Sequence, residues 1–216
     1  MMKNKLTRYS YNETSKYVIQ DGKDLFSKTK GRWNKIFKNN NPIILELACG
    51  NGEYTVSRSM IEPNKNFIGI DIKGARLWKG ANILESNKSK NALFLRIQIE
   101  SINDFFENGE VDEIIISFPD PRPKKKDINK RLTNRLFLDI YHKIMSKESK
   151  LMLKTDDNDL FDFSIKEIKN SKFKINDFTY DLYESKKFQT HRDIKTKYEV
   201  KFLKMGKKIN FLSCLR

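Results

Sequence analysis

Ile43-Ile-Leu-Glu-Leu-Ala-Cys-Gly-Asn-Gly52 runs a short apolar segment into a turn with two glycines, and the next residues, from about Glu53 to Met60, carry helical spacing. A strand whose residues are nearly all apolar is one buried on both faces, as in a parallel sheet. The same unit recurs downstream. Asn66–Ile70 is a second strand, ended by Asp71 and followed by a helix from about Ala75 to Glu85; Ala92–Arg96 is a third. A short helix over Ile102–Phe106 leads to a fourth strand at Glu113–Ser117. A helix over Leu136–Ile144 then leads to a fifth at Lys150–Lys154, and another helix spans roughly Asp159 to Lys169. Lys174–Leu182 and Lys197–Leu203 read as two late strands closing the sheet as an antiparallel edge. Strands separated by helices imply right-handed βαβ crossovers. The expected fold is α/β, doubly wound, on a mainly parallel seven-stranded sheet.

Outward from this repeat, Asn39-Asn-Asn-Pro42 is a breaker. It divides residues 1–40, a basic arm with a short helix packing on or near the rest, from a main domain over 41–216. Tyr9, Tyr11, Tyr17 and Trp33 of the arm have two readings, packing on the core or contacting RNA. With 216 residues, 38% hydrophobic and 33% charged, the chain can bury one substantial core. No apolar run approaches membrane-spanning length, and Met1–Arg8 lacks the apolar stretch of a secretory signal, so the expected location is cytoplasmic. Cys49 and Cys214 are too few for a metal cluster, and His142 and His191 have no ligand motif around them, so no metal is expected. Lys and Arg outnumber Asp and Glu by 43 to 28, a formal charge of +15 that favours a polyanionic partner; a merely solvated basic surface is the competing reading.

Chemistry concentrates where strands end. Gly50 and Gly52 let the backbone turn sharply beside a ligand, and Glu46 can accept hydrogen bonds there. Asp71 ends the second strand nineteen residues beyond Gly52, the interval expected of an acid that grips ribose hydroxyls. Glu46 would meet a pyrophosphate with like charge, whereas a sulfonium and an amino-acid ammonium would suit it, so S-adenosylmethionine is preferred over a dinucleotide. Gln98, with Ile99 beside it, follows the third strand where an amide could reach an adenine edge. After the fourth strand, Phe118-Pro-Asp-Pro121 stiffens the exit and delivers Asp120 next to Lys124, Lys125, Lys126, Lys130, Arg131 and Arg135. These cations read as a track along an RNA backbone, Lys124 touching a phosphate or orienting the target nucleotide.

Glu46-Leu-x-x-Gly50-x-Gly52, Gly69-Ile-Asp71, Phe118-Pro-Asp-Pro121, Lys124, Lys130-Arg-Leu-Thr133, Lys154-Thr-Asp156 and Thr196-Lys-Tyr-Glu199 together resemble the bacterial tRNA (guanine-N7)-methyltransferase family, over Ile43 to Ile209. The resemblance implies a Rossmann-like, S-adenosylmethionine-dependent enzyme that methylates the variable-loop guanine at position 46 of tRNA. It implies a cofactor site of Glu46, Ala48, Gly50, Gly52, Asp71, Gln98, Ile99 and Asp120. It also implies a substrate site of Lys124, Asp156 and the segment Thr196, Lys197, Tyr198, Glu199. Ala48 stands where the family has a glycine, and Arg122 where a tryptophan is common.

Guanine N7 carries an in-plane lone pair and no proton, so the transfer needs alignment rather than a base. Positive charge passes to the purine, and Asp120 is the leading candidate to favour that shift. Asp156 has two readings, acceptor from guanine N1 and N2 or N-cap of the following helix. Glu199 is expected to accept from guanine, Tyr198 to pack, and Thr196 to hold a base edge or phosphate at the start of the last strand. The alternatives are a methyltransferase for another RNA guanine or a small molecule, and a tRNA-binding scaffold with degenerate activity. Monomer and homodimer are both open.

Overall fold

The computed structural model describes residues 4–216. In chain order the elements are α1 (Lys5–Thr14), β1 (Val18–Ile19), α2 (Trp33–Phe37), β2 (Ile43–Leu47), α3 (Glu53–Ile61), β3 (Asn66–Ile70), α4 (Gly74–Ser86) and β4 (Ala92–Leu95). There follow β5 (Val111–Ser117), α5 (Arg135–Ile144), β6 (Met145–Thr155), α6 (Asn158–Lys169), β7 (Lys174–Thr179), α7 (Lys197–Lys204) and β8 (Asn210–Leu215). They form one eight-stranded sheet in the order β1-β4-β3-β2-β5-β6-β8-β7. The neighbours from β1 to β6 pair in parallel, and β8 lies antiparallel between β6 and β7. The α/β, Rossmann-like architecture with an antiparallel C-terminal edge is therefore present, with eight strands instead of seven.

The extra strand comes from the arm. Val18 and Ile19 pair with Phe94 and Leu95. Asn12 Nδ2 donates to the Gly74 carbonyl at 2.7 Å, and Trp33, fully buried, donates from Nε1 to the Phe105 carbonyl at 2.9 Å. Tyr17 and Trp33 thus pack inward, and Tyr9 and Tyr11 are half-buried. Residues 1–3 of the expected arm lie outside the described residues.

A second difference concerns the C-terminal edge. Residues 197–204 form a helix, not a strand, and the last strand is Asn210–Leu215. Tyr198, Val200 and Phe202 alternate with polar residues, which is a strand pattern. Thr196-x-x-Glu199 is also a helix start, and that signal prevails: Thr196 Oγ1 accepts from the Glu199 N–H at 3.2 Å.

Side chains of alternate parity pack on opposite faces of the sheet. Ile114, Ile116, Leu151 and Leu153 face α5 and α6 through Phe137, Tyr141, Phe161 and Ile168. Ile115 and Met152 face the other way, toward Tyr54 of α3, Leu182 and Phe188 of the segment after β7, and Phe211 of β8. On that second face Phe94 fills the space that three glycines leave. A β-carbon at Gly52, Gly69 or Gly80 would stand 2.2, 2.6 or 2.4 Å from its ring. Burying that ring stabilises the fold by about 1.5–3 kcal/mol and sets α3 and α4 close against the sheet beneath the first turn. Among the described residues no helix is long and apolar enough to cross a membrane.

Candidate active site

The strand order reverses between β2, which continues to β3 and β4, and β5, which continues to β6. A crevice opens beyond the carboxyl ends of the strands at such a reversal. The turn after β2, Asp71 after β3, Gln98 after β4, Asp120 after β5 and Asp156 after β6 all lie on this edge.

The turn after β2 uses three left-handed residues, Ala48 (φ 54°), Gly50 (φ 57°) and Gly52 (φ 71°). Ala48 adopts this conformation at a cost of about 1–2 kcal/mol. Gly50 donates its N–H to Asp71 Oδ2 at 2.9 Å, and Lys73 N–H reaches Asp71 Oδ1 at 2.8 Å, so the acid ties the first two strand ends together. A β-carbon at Gly50 would meet nothing within 4 Å, and the backbone there is open to a ligand.

Glu46 lies buried under this turn. Its carboxylate accepts from Thr55 N–H at 2.9 Å and Thr55 Oγ1 at 2.5 Å. The N-cap of α3 is Gly52, which has no side chain, so Glu46 caps the helix from the neighbouring strand. Burial raises its pKa to about 7, against the pull of the Thr55 hydrogen bonds. Ser117 Oγ, at the end of β5, is buried and makes no hydrogen bond. Gln98 is exposed, and Ile99 packs partly against the core. A buried carboxylate disfavoured by desolvation, an unpaired hydroxyl and an open glycine turn suit a ligand with a cation and polar groups. These residues fit S-adenosylmethionine. Glu46 would face its ammonium, Asp71 its ribose, and Gln98 and Ile99 its adenine.

The loop after β5 is bent by two further left-handed residues, Phe118 (φ 49°) and Arg122 (φ 48°). Pro119 is buried, and Asp120 stands exposed at the rim. Arg122 donates its N–H to Asp120 Oδ1 at 3.2 Å, and its guanidinium lies 3.3 Å from Oδ2. Arg131 is not part of the exposed track. It is buried, lies over the Phe163 ring at 4.5 Å, and donates twice to the Arg122 carbonyl at 3.2 and 3.3 Å. Lys124, Lys125, Lys126 and Lys130 are exposed, Lys130 meeting Asp127 at 2.7 Å. Arg135 lies on α5, with its guanidinium 3.2 Å from Asp139.

Asp156 pairs with Lys207 at 2.5 Å, and the helix-capping role falls to its neighbour Asp157, which accepts from Leu160 N–H at 2.7 Å. Lys197 donates its N–H to Glu53 Oε2 at 2.9 Å, fastening the start of α7 to the start of α3. Tyr198 is 53% exposed and stacks on Phe202, which meets Phe118 at 5.8 Å. Glu199 departs from expectation. It is wholly buried, paired with Lys154 at 3.0 Å, and accepts from the Tyr183 hydroxyl at 2.9 Å. In this arrangement its carboxylate holds α7 against β6.

His191 stacks on Phe211 at 4.5 Å, and burial lowers its pKa to about 4. Cys49 is a buried thiol whose pKa burial raises well above the usual range, which suits packing and not nucleophilic attack. Among the described residues no three His, Cys, Asp or Glu side chains gather as a metal site. A cavity of about 800 Å³ opens elsewhere, between α3 and residues 183–195, and contains none of these site residues. The sequence gives Thr55 and Ser117 no role and sets Arg131 in the cation track, where the structure buries it instead. For Ser117 the only signal was a polar residue closing an apolar strand.

Comparison with known proteins identifies the family of the chain. Residues 40–212 match the family model described as "Putative methyltransferase". The chain is 40% identical over 214 residues to the tRNA (guanine-N(7)-)-methyltransferase of Cytophaga hutchinsonii, covering 98% of this chain and 97% of that one. It is 41% identical over 220 residues to the protein of that name from Bacteroides fragilis, covering 100% and 86%. The solved 16S rRNA methyltransferase KamB shares the fold, with a TM-score of 0.66 at 11% identity, over 92% of this chain and 98% of that one. With that identity across almost the whole of both sequences, this chain belongs to the tRNA (guanine-N(7)-)-methyltransferase family.

Proposed function

We propose that this chain, in the cytoplasm, transfers a methyl group from S-adenosylmethionine to N7 of the variable-loop guanine, position 46, of tRNA. One observation carries the reading: Asp120 stands exposed where β5 meets the strand-order reversal, four residues ahead of the exposed lysines Lys124, Lys125 and Lys126. The names of the curated relatives support guanine N7 in tRNA as the acceptor.

S-adenosylmethionine supplies a methyl group on a positively charged sulfur. N7 has no proton to lose, so the residues of this chain align and stabilise. The glycine turn and Asp71 hold one side of the crevice, and the Phe118–Arg122 loop holds the other. Asp120 favours the positive charge that develops on the purine, because a fixed carboxylate attracts it more strongly in the transition state than in the neutral base. Arg122 competes for that carboxylate, and guanine must displace it or share it. Lys124 and its neighbours take backbone phosphates, which position RNA without reading its sequence. Asp156 can receive guanine N1 and N2 once Lys207 swings away.

Incubation with labelled cofactor and unmodified tRNA, followed by mapping of the labelled base, tests this. N7-methylguanosine in the variable loop is expected from the native chain. Asp120→Ala should lose transfer far more than tRNA retention. Label at another base, or none on competent tRNA, would overturn the proposal.

A further inference from the structure

Helix α7 carries two kinds of surface that the reading of 197–203 as a strand had concealed. Lys197, Lys201 and Lys204 are spaced by four and three residues, so they form one stripe, and all three are exposed. Glu199 lies on the opposite side of the helix and is fully buried against Lys154, which turns the lysine stripe outward. Among the described residues neither Lys201 nor Lys204 has an ion-pair partner, and Lys197 has only a 3.8 Å approach to Glu53. On the flank between stripe and core, Tyr198 stacks on Phe202, and Phe202 meets the tilted ring of Phe118, two residues before Asp120. Lys207, over the Phe202 ring, pairs with Asp156. The helix thus borders the crevice near Asp120 and Asp156.

The two basic groups come from opposite faces of the sheet. The Lys124–Lys130 segment continues into Arg131 and Thr133, which contact Phe163 and Ser164 of α6, on the face of Ile114 and Ile116. Phe202 and Leu203 of α7 pack with Ile115 and Met152 on the other face. Exposed cations beside an exposed aromatic ring suit a nucleic-acid strand, phosphates on the lysines and a base on the ring.

We propose that α7 is a second tRNA-docking element, in which Lys201 and Lys204, beyond the substrate segment Thr196–Glu199 that the family resemblance implies, bind backbone phosphates across the crevice from Lys124–Lys130. The proposal rests on tRNA being the substrate. The helix holds the RNA from the face that the Asp120 loop does not reach, and a nucleotide between the two groups is drawn toward Asp120.

The test compares K201Q/K204Q with K166Q/K169Q, which removes the same charge from the last turn of α6, a helix that runs away from the crevice. Binding of unmodified tRNA is measured from roughly 50 to 200 mM salt, with methyl transfer and cofactor binding alongside. K201Q/K204Q should make the logarithmic salt slope shallower by about 1.4–1.8 and weaken tRNA binding on the order of tenfold near 0.1 M salt. Cofactor affinity should be unchanged, and K201R/K204R, which keeps the charge, should restore the slope. An unchanged slope in K201Q/K204Q, or an equal change in the α6 control, overturns the docking role while native methylation of guanine N7 stands. A native chain that neither binds nor methylates tRNA overturns the substrate reading and the docking role with it.

Discussion

Lys154 and Glu199 form an ion pair at 3.0 Å from which solvent is fully excluded on both sides. One residue lies in β6, two positions before Asp156, and the other in the first turn of α7. Desolvation lowers the Lys154 pKa from its usual value and raises that of Tyr183, which donates to the same carboxylate. The pair joins two sequence motifs 45 residues apart and fixes α7 over the strand ends.

Breaking this pair on one side should cost far more than replacing both partners. Glu199→Ala leaves an unpaired buried ammonium and is expected to destabilise the fold by about 3–5 kcal/mol. Lys154→Met with Glu199→Leu should recover most of that loss. Denaturant titration of the native chain, both single variants and the double variant closes the cycle. Single variants costing less than about 1 kcal/mol would contradict an exclusively buried pair.

Arg131 donates to the Arg122 carbonyl, and Arg122 N–H donates to Asp120. Arg131→Met should lower kcat on the order of ten- to hundredfold by loosening the loop, while the salt slope of tRNA binding stays as in the native chain. A shallower slope would return Arg131 to the phosphate track. Arg131→Lys, with one donor group in place of a planar fork, should fall between the two.

Glu46 gives stability a pH dependence of a definite sign. Its pKa is about 7 in the fold against 4.5 for an ordinary glutamate, so the folded chain binds the proton more tightly. The stabilisation is complete below about pH 4.5, declines as pH rises, and is gone above about pH 7. Unfolding free energies of the native chain and Glu46→Gln should diverge across that window by about 3 kcal/mol, with the variant the less pH-dependent. Binding of the cofactor ammonium should release a proton near neutral pH, measurable by calorimetry in buffers of different ionisation enthalpy. Equal heats in all buffers would place the ammonium elsewhere.

Ala48 is the strained member of the first turn. Ala48→Gly should relieve the left-handed strain, partly offset by greater chain entropy in the unfolded state, for a net gain of about 0.5–1 kcal/mol. Thermal unfolding should show a Tm higher by about 1–4 °C. A lower Tm would mean that the alanine methyl contributes packing worth more than the strain.

The strand-turn-helix repeat from Ile43 to Thr155 was legible because short apolar runs, glycines and strand-ending acids are local signals. Asp71, Asp120 and Asp156 could be placed on one edge from spacing alone, since parallel strands deliver their carboxyl ends together. The C-terminal quarter was harder. Tyr198, Val200 and Phe202 alternate like a strand, and the competing Thr196 cap is a single hydrogen bond whose weight depends on where Glu199 finds a partner. Val18 and Ile19 give too short a run to declare an edge strand, and become one only because β4 lies beside them.

The sequence by itself determined the fold class, the family, the glycine turn after the first long strand and the acid beside a lysine track, because each is carried by residues within a few positions of one another. Only the tertiary structure decided which charges are free to act. Arg131 and Glu199 belong to the same motifs as Lys130 and Thr196, but one lies against Phe163 and the other is sealed against Lys154. Burial makes an unpaired charge costly, so a charge folded inward must take a partner within the protein. That choice depends on contacts between residues distant along the chain, and it leaves the lysines of the Asp120 loop and of α7 exposed to solvent.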